Sequence, residues 1–166
     1  MDCQDRDDRR MTTPTLPLAL GTIPSGLFIL TVRNDSSETG MLVSWVMQAG
    51  FDPPMVSLAL RQGRYLVDWL KPETPIVLNQ LGVDQKQLLS HFGRGFEESQ
   101  PAFEGLLTKS WRDVRVLSDA AAHLECVVRG HVDSGDHRIF LAEVVGGETH
   151  SDVEPWVHIR KNGLRY

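Results

Sequence analysis

Cysteine is scarce in this chain: Cys3 and Cys126 are the only two in 166 residues. They form neither a CxxC pair nor a disulfide framework, which excludes a thiol-redox motif and a stapled secreted scaffold and fits a reducing cytoplasm. Long apolar runs are lacking too, since no stretch approaches the roughly 18 residues that a membrane-spanning helix needs. The opening MDCQDRDDRR holds no apolar segment, so it does not read as a secretory signal. Basic excess is missing: 17 Lys and Arg stand against 22 Asp and Glu, and a net charge of −5 argues against a nucleic-acid surface. HExxH, a Walker loop and a GxSxG elbow are all missing. GRGF after His91 supplies only GxG with no strand before it, so a Rossmann turn fails. His123 and His131 lie eight apart on a predicted strand, but carboxylates at ligand spacing are missing and no metal site is expected.

What is present is enough for one ordinary domain with a substantial core; 41% of residues are hydrophobic. Residues 1–15 read as a disordered tail, with Met11 an alternative start, and 16–166 as the folded domain. Leu27 to Val32 is a strand ended by the turn-forming NDSSETG, and Met41 to Val46 is its pairing partner. Met55 to Leu60 is a third strand. Leu66, Trp69 and Leu70 stand at helical spacing before Pro72, and Pro75 to Leu81 is strand-like again. Asp84 is placed to cap a helix bearing Leu88, Leu89 and Phe92 and closed by Gly93. His123 to Val132 and Ile139 to Val145 form a hairpin around DSGDH. Six or seven short strands and two short helices without a βαβ rhythm predict a mainly β, antiparallel barrel.

The segment Ser44 to Pro54, SWVMQAGFDPP, is the most informative. Its polar Ser44 and Gln48 alternate with Trp45, Met47 and Phe51, and two prolines follow. Because proline fixes φ and donates no ladder bond, a rigid irregular edge is expected here rather than more sheet. Such an edge suits a flat heteroaromatic ring rimmed with acceptors.

With PSGLFILTV before it, PIVLNQL and HFGRGF after it, then SGDHRIF and HIRKNGLRY, this segment resembles the flavin reductase-like, FMN-binding split-barrel family. It is especially similar to the flavin reductase module of diflavin flavoproteins. The resemblance runs from about Leu18 to Tyr166. It implies a split β-barrel, Greek-key-like with a few short helices, and an NAD(P)H-dependent flavin reductase. FMN is the expected cofactor with FAD an alternative, and the expected assembly is a homodimer in the cytoplasm. Hydride would pass from the nicotinamide to flavin N5, then onward to free flavin, oxygen or an acceptor protein. No side-chain nucleophile or acid–base pair is required, so no catalytic residue is expected. A non-catalytic FMN carrier and a haem-binding split-barrel relative are the rival readings.

The chemistry of FMN sets three demands: apolar walls with N–H donors for the ring, polar groups for the ribityl chain, and positive charge for the phosphate. Ser44, Trp45, Val46, Met47, Gln48 and Phe51 suit the first two. Arg61 and Arg64 flank Gly63 in RQGRY and suit the third, at positions the resemblance gives to the phosphate. Their alternative is an ordinary exposed pair. Asn79 either reaches the flavin edge, as the resemblance implies, or bonds neighbouring backbone. His91, Phe92 and Phe103 belong to a segment beside the cofactor in relatives; by type, the phenylalanines read as core and His91 as a helix-end cation. The resemblance gives His137 a nicotinamide contact, with Asp136 orienting its ring or forming an Asx-turn; the alternative is an exposed turn histidine. Arg160 and Tyr166 either hold dinucleotide phosphate and ring or belong to a solvated terminal strand. Arg160, Lys161 and Arg165 gather positive charge there.

Overall fold

The computed structural model describes residues 15–150 and 152–165. Contacts divide the chain into a barrel unit, Ser25–His158, and a unit formed by Met1–Pro24 with Ile159–Tyr166. In the second unit α1 spans Thr15–Gly21, so a helix starts at the last position assigned to the tail. There the Arg160 N–H donates to the Gly21 carbonyl (3.0 Å) and the Gly163 N–H to the Pro17 carbonyl (2.7 Å). A Cβ on Gly21 would lie 2.5 Å from the Arg160 oxygen, so this approach needs glycine. The rest of the predicted tail, 1–14, lies outside the described residues.

The barrel unit runs β1 (Ser25–Gly26), β2 (Phe28–Asn34), β3 (Ser37–Val43), β4 (Val46–Phe51) and β5 (Pro54–Arg61), then a 3-10 turn over Tyr65–Trp69. It continues with β6 (Pro75–Gln80), α2 (Lys86–Gly93), β7 (Thr108–Trp111), β8 (Val114–Leu117), β9 (Ala122–Ser134), β10 (His137–Thr149) and β11 (Val157–His158). Seven strands form one antiparallel sheet in the order β3-β2-β6-β9-β10-β5-β4. Alternation drives its curl. Leu30 and Val32, Val56, Leu58 and Leu60, Ile76 and Leu78, Cys126 and Val128, and Phe140 and Ala142 all point into one buried cluster. The sheet therefore wraps around this cluster, with β3 and β4 as its edge strands. The fold is the mainly β split barrel expected.

Ile29 of β2 and the preceding Leu27 are buried against α2 and the loop after it, where Phe92 meets Leu81, Leu88 and Ala102. Gly40 makes room for that ring: a Cβ there would lie 2.5 Å from Phe92 Cε1. Cys126 is fully buried in the barrel, and burial pushes its thiol up to about 12, which leaves it protonated and inert.

Three expectations need correction. SWVMQAGFDPP is not an edge outside the sheet: Val46–Phe51 is a strand paired to β5, with a bulge between Gln48 and Gly50. The prolines lie in the tight β4–β5 connection, where Phe51 pairs with Pro54; an edge strand tolerates proline at its end because no ladder bond is lost. Asp84 does not cap α2. The residue before the helix is Gln85, and its Oε1 accepts the Gly82 N–H at 2.9 Å. The second strand begins at Ser37 rather than Met41, because Asp35 and Ser36 suffice for the turn.

Candidate functional site

Three chain segments converge at one end of the barrel. The first is the crossing from β3 to β4 at Ser44 and Trp45, where the Trp45 carbonyl accepts the Ala59 N–H at 3.0 Å and ties the crossing to β5. The second is the loop after β5, with Arg61, Gln62, Gly63 and Arg64 all exposed. Gly63 turns this loop at φ +83, a conformation that disfavours side chains. The third is the β9–β10 turn, Gly135 and Asp136, which delivers His137 as the first residue of β10.

The strand register sets these segments against each other. His137 pairs with Arg61 across β10 and β5. The Gln62 N–H donates to the Asp136 carbonyl (3.0 Å), and the Gln62 Nε2 donates to the His137 carbonyl (3.3 Å). The His137 side chain is 9% exposed, so it is not the solvated turn histidine of the alternative reading. Its centroid lies 4.7 Å from that of Trp45, whose ring is 37% exposed at the surface. His137 Nδ1–H donates to Asp136 Oδ1 at 2.7 Å. That bond holds the exposed Asp136 carboxyl below its usual range, with the positive charges of His137 and Arg61 adding to it. A carboxylate at Nδ1 fixes the tautomer of the imidazole.

Charge matching separates Arg61 and Arg64 from the other arginines of the barrel unit. Arg115 is held by Glu38, Arg129 by Glu73 and Glu143, Arg138 by Asp133, and Arg33 reaches Glu38. Arg94 and Arg112 lie over Phe96 and Trp111. Arg61 and Arg64 alone have neither an ion pair nor an aromatic seat among the described residues. Two unmatched guanidinium groups around an open glycine turn suit an anion.

The remaining site candidates divide. Ser44 and Val46 are half-buried, whereas Met47 (66%), Gln48 and Phe51 (88%) are exposed along β4, away from the His137 corner. Asn79 is fully buried and committed to the structure. Its Nδ2 donates to the Ile29 carbonyl (3.0 Å), and its Oδ1 accepts the Leu117 N–H (2.8 Å). That is the backbone-bonding alternative, and Asn79 leaves the site. His91 donates from Nε2 to the Ala102 carbonyl (2.8 Å) and packs on Phe92 and Phe96; Phe92 is 1% exposed and packs on Phe103. Phe92 and Phe103 therefore serve the α2 core, as their residue types suggested, and His91, read by type as a helix-end cation, is instead tied into the same packing. Arg160 lies in the other unit, with Lys161 and Arg165, and Tyr166 lies outside the described residues. Gln62 was missed from sequence. Its signal was an amide between two arginines directly after a strand, which spacing alone does not distinguish from an ordinary loop residue.

His123 does not pair with His131. It stacks on His150, with His123 Nδ1 and His150 Nε2 2.7 Å apart, and no group of metal-ligating side chains is assembled among the described residues.

The fold and this corner define a flavin reductase-like module. The chain belongs to that family: the flavin reductase like domain model matches residues 20–163. It is 33% identical to diflavin flavoprotein A 1 of Synechocystis sp. (strain ATCC 27184 / PCC 6803 / Kazusa), over 91% of this chain and 27% of that protein. The chain thus spans less than a third of the length of the curated relatives it matches. Its fold is similar to that of the NADH:FAD oxidoreductase SgcE6 of Streptomyces globisporus C-1027, with a TM-score of 0.80, 22% identity, and 96% and 93% of the two chains covered. The native-state flavin reductase PheA2 gives a TM-score of 0.75 at 21% identity, covering 90% of this chain and 94% of that one. No helix among the described residues is long and apolar enough to cross a membrane.

Proposed function

We propose that this protein is an NAD(P)H-dependent flavin reductase that takes FMN, or FAD, at the corner formed by Trp45, Arg61, Arg64 and His137. The observation that carries the reading is the unmatched pair Arg61 and Arg64 set beside the Asp136–His137 couple. The guanidinium groups would hold the flavin phosphate, and the exposed Gly63 backbone allows close approach. Ser44, Trp45 and Val46 would wall the ring, with β4 supplying edge N–H donors. Met47, Gln48 and Phe51 lie farther along that edge and line the ring's surroundings only at its margin. When bound, the flavin supplies the hydride-accepting chemistry, which no side chain of the protein can provide. His137 would contact the nicotinamide nucleotide, held in a fixed tautomer by Asp136. Arg160 and Tyr166 remain proposed dinucleotide contacts from the C-terminal HIRKNGLRY. The protein's task is to hold two rings in register and exclude water.

A homodimer belongs to this reading. The outer face of β4-β5-β10-β9 sets Met47 against Ser57, Ser57 against Leu141, and Leu141 against Gly130. Leu141 and Val132 are exposed on it at 41% and 57%. Such a face suits a second copy. Because the curated relatives are much longer, the electron acceptor is proposed to be another domain or protein, free flavin or oxygen. The cytoplasm is the proposed compartment.

The reading is tested by anaerobic addition of NADH, then NADPH, to FMN-loaded protein. Bleaching of the flavin absorption is expected, with His137→Ala raising KM for the dinucleotide more than it changes flavin affinity. Retained flavin with no bleaching by either dinucleotide would make the module an electron carrier instead, and a haem spectrum in place of flavin would replace both readings.

A further inference from the structure

Gln62 lies between the two arginines of the proposed phosphate loop, and its backbone and its side chain each donate to the neighbouring turn. Its backbone N–H takes the Asp136 carbonyl and its side-chain amide takes the His137 carbonyl. Two successive peptide groups of the β9–β10 turn are therefore pinned by one residue of another segment. From there the Asp136 carboxylate carries the constraint to the His137 imidazole. Hydrogen bonds joined through the Asp136 residue thus link the arginine loop to the histidine ring. The arginine loop turns at a positive-φ glycine with no atom within 4 Å of its Cβ position, which leaves the turn open to an approaching ligand.

We propose that Gln62 is a positioning residue that couples occupancy of the flavin site to occupancy of the dinucleotide site. The proposal rests on the functional reading above and assigns a regulatory linkage to that same site. When a phosphate seats between Arg61 and Arg64, the loop loses freedom, and Gln62 passes that order to Asp136 and His137. The dinucleotide then meets an imidazole already held in place and pays less to bind it. Linkage requires the reverse as well: dinucleotide tightens flavin by the same factor. Among the described residues, the charged groups set against His137 include Asp136 from its own turn and Arg61 from β5, and the β3–β4 crossing brings Trp45 against its ring.

The test measures NAD+ affinity by calorimetry, with and without saturating FMN, in the wild type and in Gln62→Met and Gln62→Glu. NAD+ donates no hydride, so binding is read without turnover. Gln62 is exposed, so neither variant disturbs the core, and both keep the backbone N–H and the side-chain length. In the wild type, FMN should tighten NAD+ by about 5- to 150-fold. Both variants should shrink that factor by about two- to tenfold, the worth of one hydrogen bond. The reciprocal measurement, FMN affinity with and without NAD+, should shrink equally. An unchanged coupling factor in both variants would overturn the role of Gln62 while leaving the flavin reductase reading intact. Wild-type protein that binds each ligand without coupling would do the same. Wild-type protein that binds no FMN would overturn both.

Discussion

Replacing Asn79 by alanine separates a structural amide from a flavin-contacting one. Asn79 is fully buried at the junction of β2, β6 and β8, and its side chain serves both neighbours. The variant leaves the Leu117 N–H without an acceptor in a dry site, at a cost of about 1 to 3 kcal/mol. It also removes the donor to the Ile29 carbonyl, worth about 1 kcal/mol more. The sum, about 2 to 4 kcal/mol, is a large share of a domain's stability. Urea unfolding monitored by tryptophan fluorescence should show a lower midpoint with an unchanged slope. FMN affinity, measured at a temperature where the variant remains folded, should match the wild type. A midpoint within error of the wild type, together with a tenfold or greater loss of FMN, would refute the structural assignment and return Asn79 to the cofactor.

Other expectations follow from single contacts. Gly40→Ala drives a methyl into the Phe92 ring and should destabilise the protein by about 1 to 3 kcal/mol in the same urea assay. Asp133 is held below its usual range by its hydrogen bond from Arg138, and Asp136 by its bond from His137. A carboxylate with a depressed folded pKa stabilises the fold above its unfolded pKa, and that contribution is lost as pH falls through the folded value. Carboxyl NMR should therefore show both titrating below the usual aspartate range, and Asp133→Asn should flatten the acid limb of the stability profile. Leu141→Arg on the outer sheet face should convert the proposed dimer to a monomer by light scattering. A wild type that is already monomeric would remove that interface.

The fold was legible because the pattern was strong. Residues such as Leu58 and Leu60, Ile76 and Leu78, and Cys126 and Val128 alternate cleanly, and period two is what a half-buried strand imposes. The long hairpin around Asp136 announced itself through a turn with Gly135. The β7–β8 hairpin was not foreseen, since Arg112 and Asp113 take positive φ without a glycine to signal it. Asn79, His91 and Phe92 illustrate the limit at the site. A polar residue in an apolar strand reports that it has a partner, but not whether that partner is backbone or ligand. The contributions of Gln62 and of the Trp45–His137 contact depend on strand register across segments far apart in sequence, which local pattern does not carry.

Arg61 and Arg64 are proposed to present an anion site to a flavin phosphate beside His137. The most direct test is equilibrium titration of FMN, compared with riboflavin, against the wild type and the Arg61→Ala/Arg64→Ala double variant. The wild type should prefer FMN over riboflavin, and the double variant should weaken FMN by about 1 to 3 kcal/mol while leaving riboflavin unaffected. Equal affinity of the wild type for the two flavins, or FMN binding that survives loss of both arginines, would contradict the account.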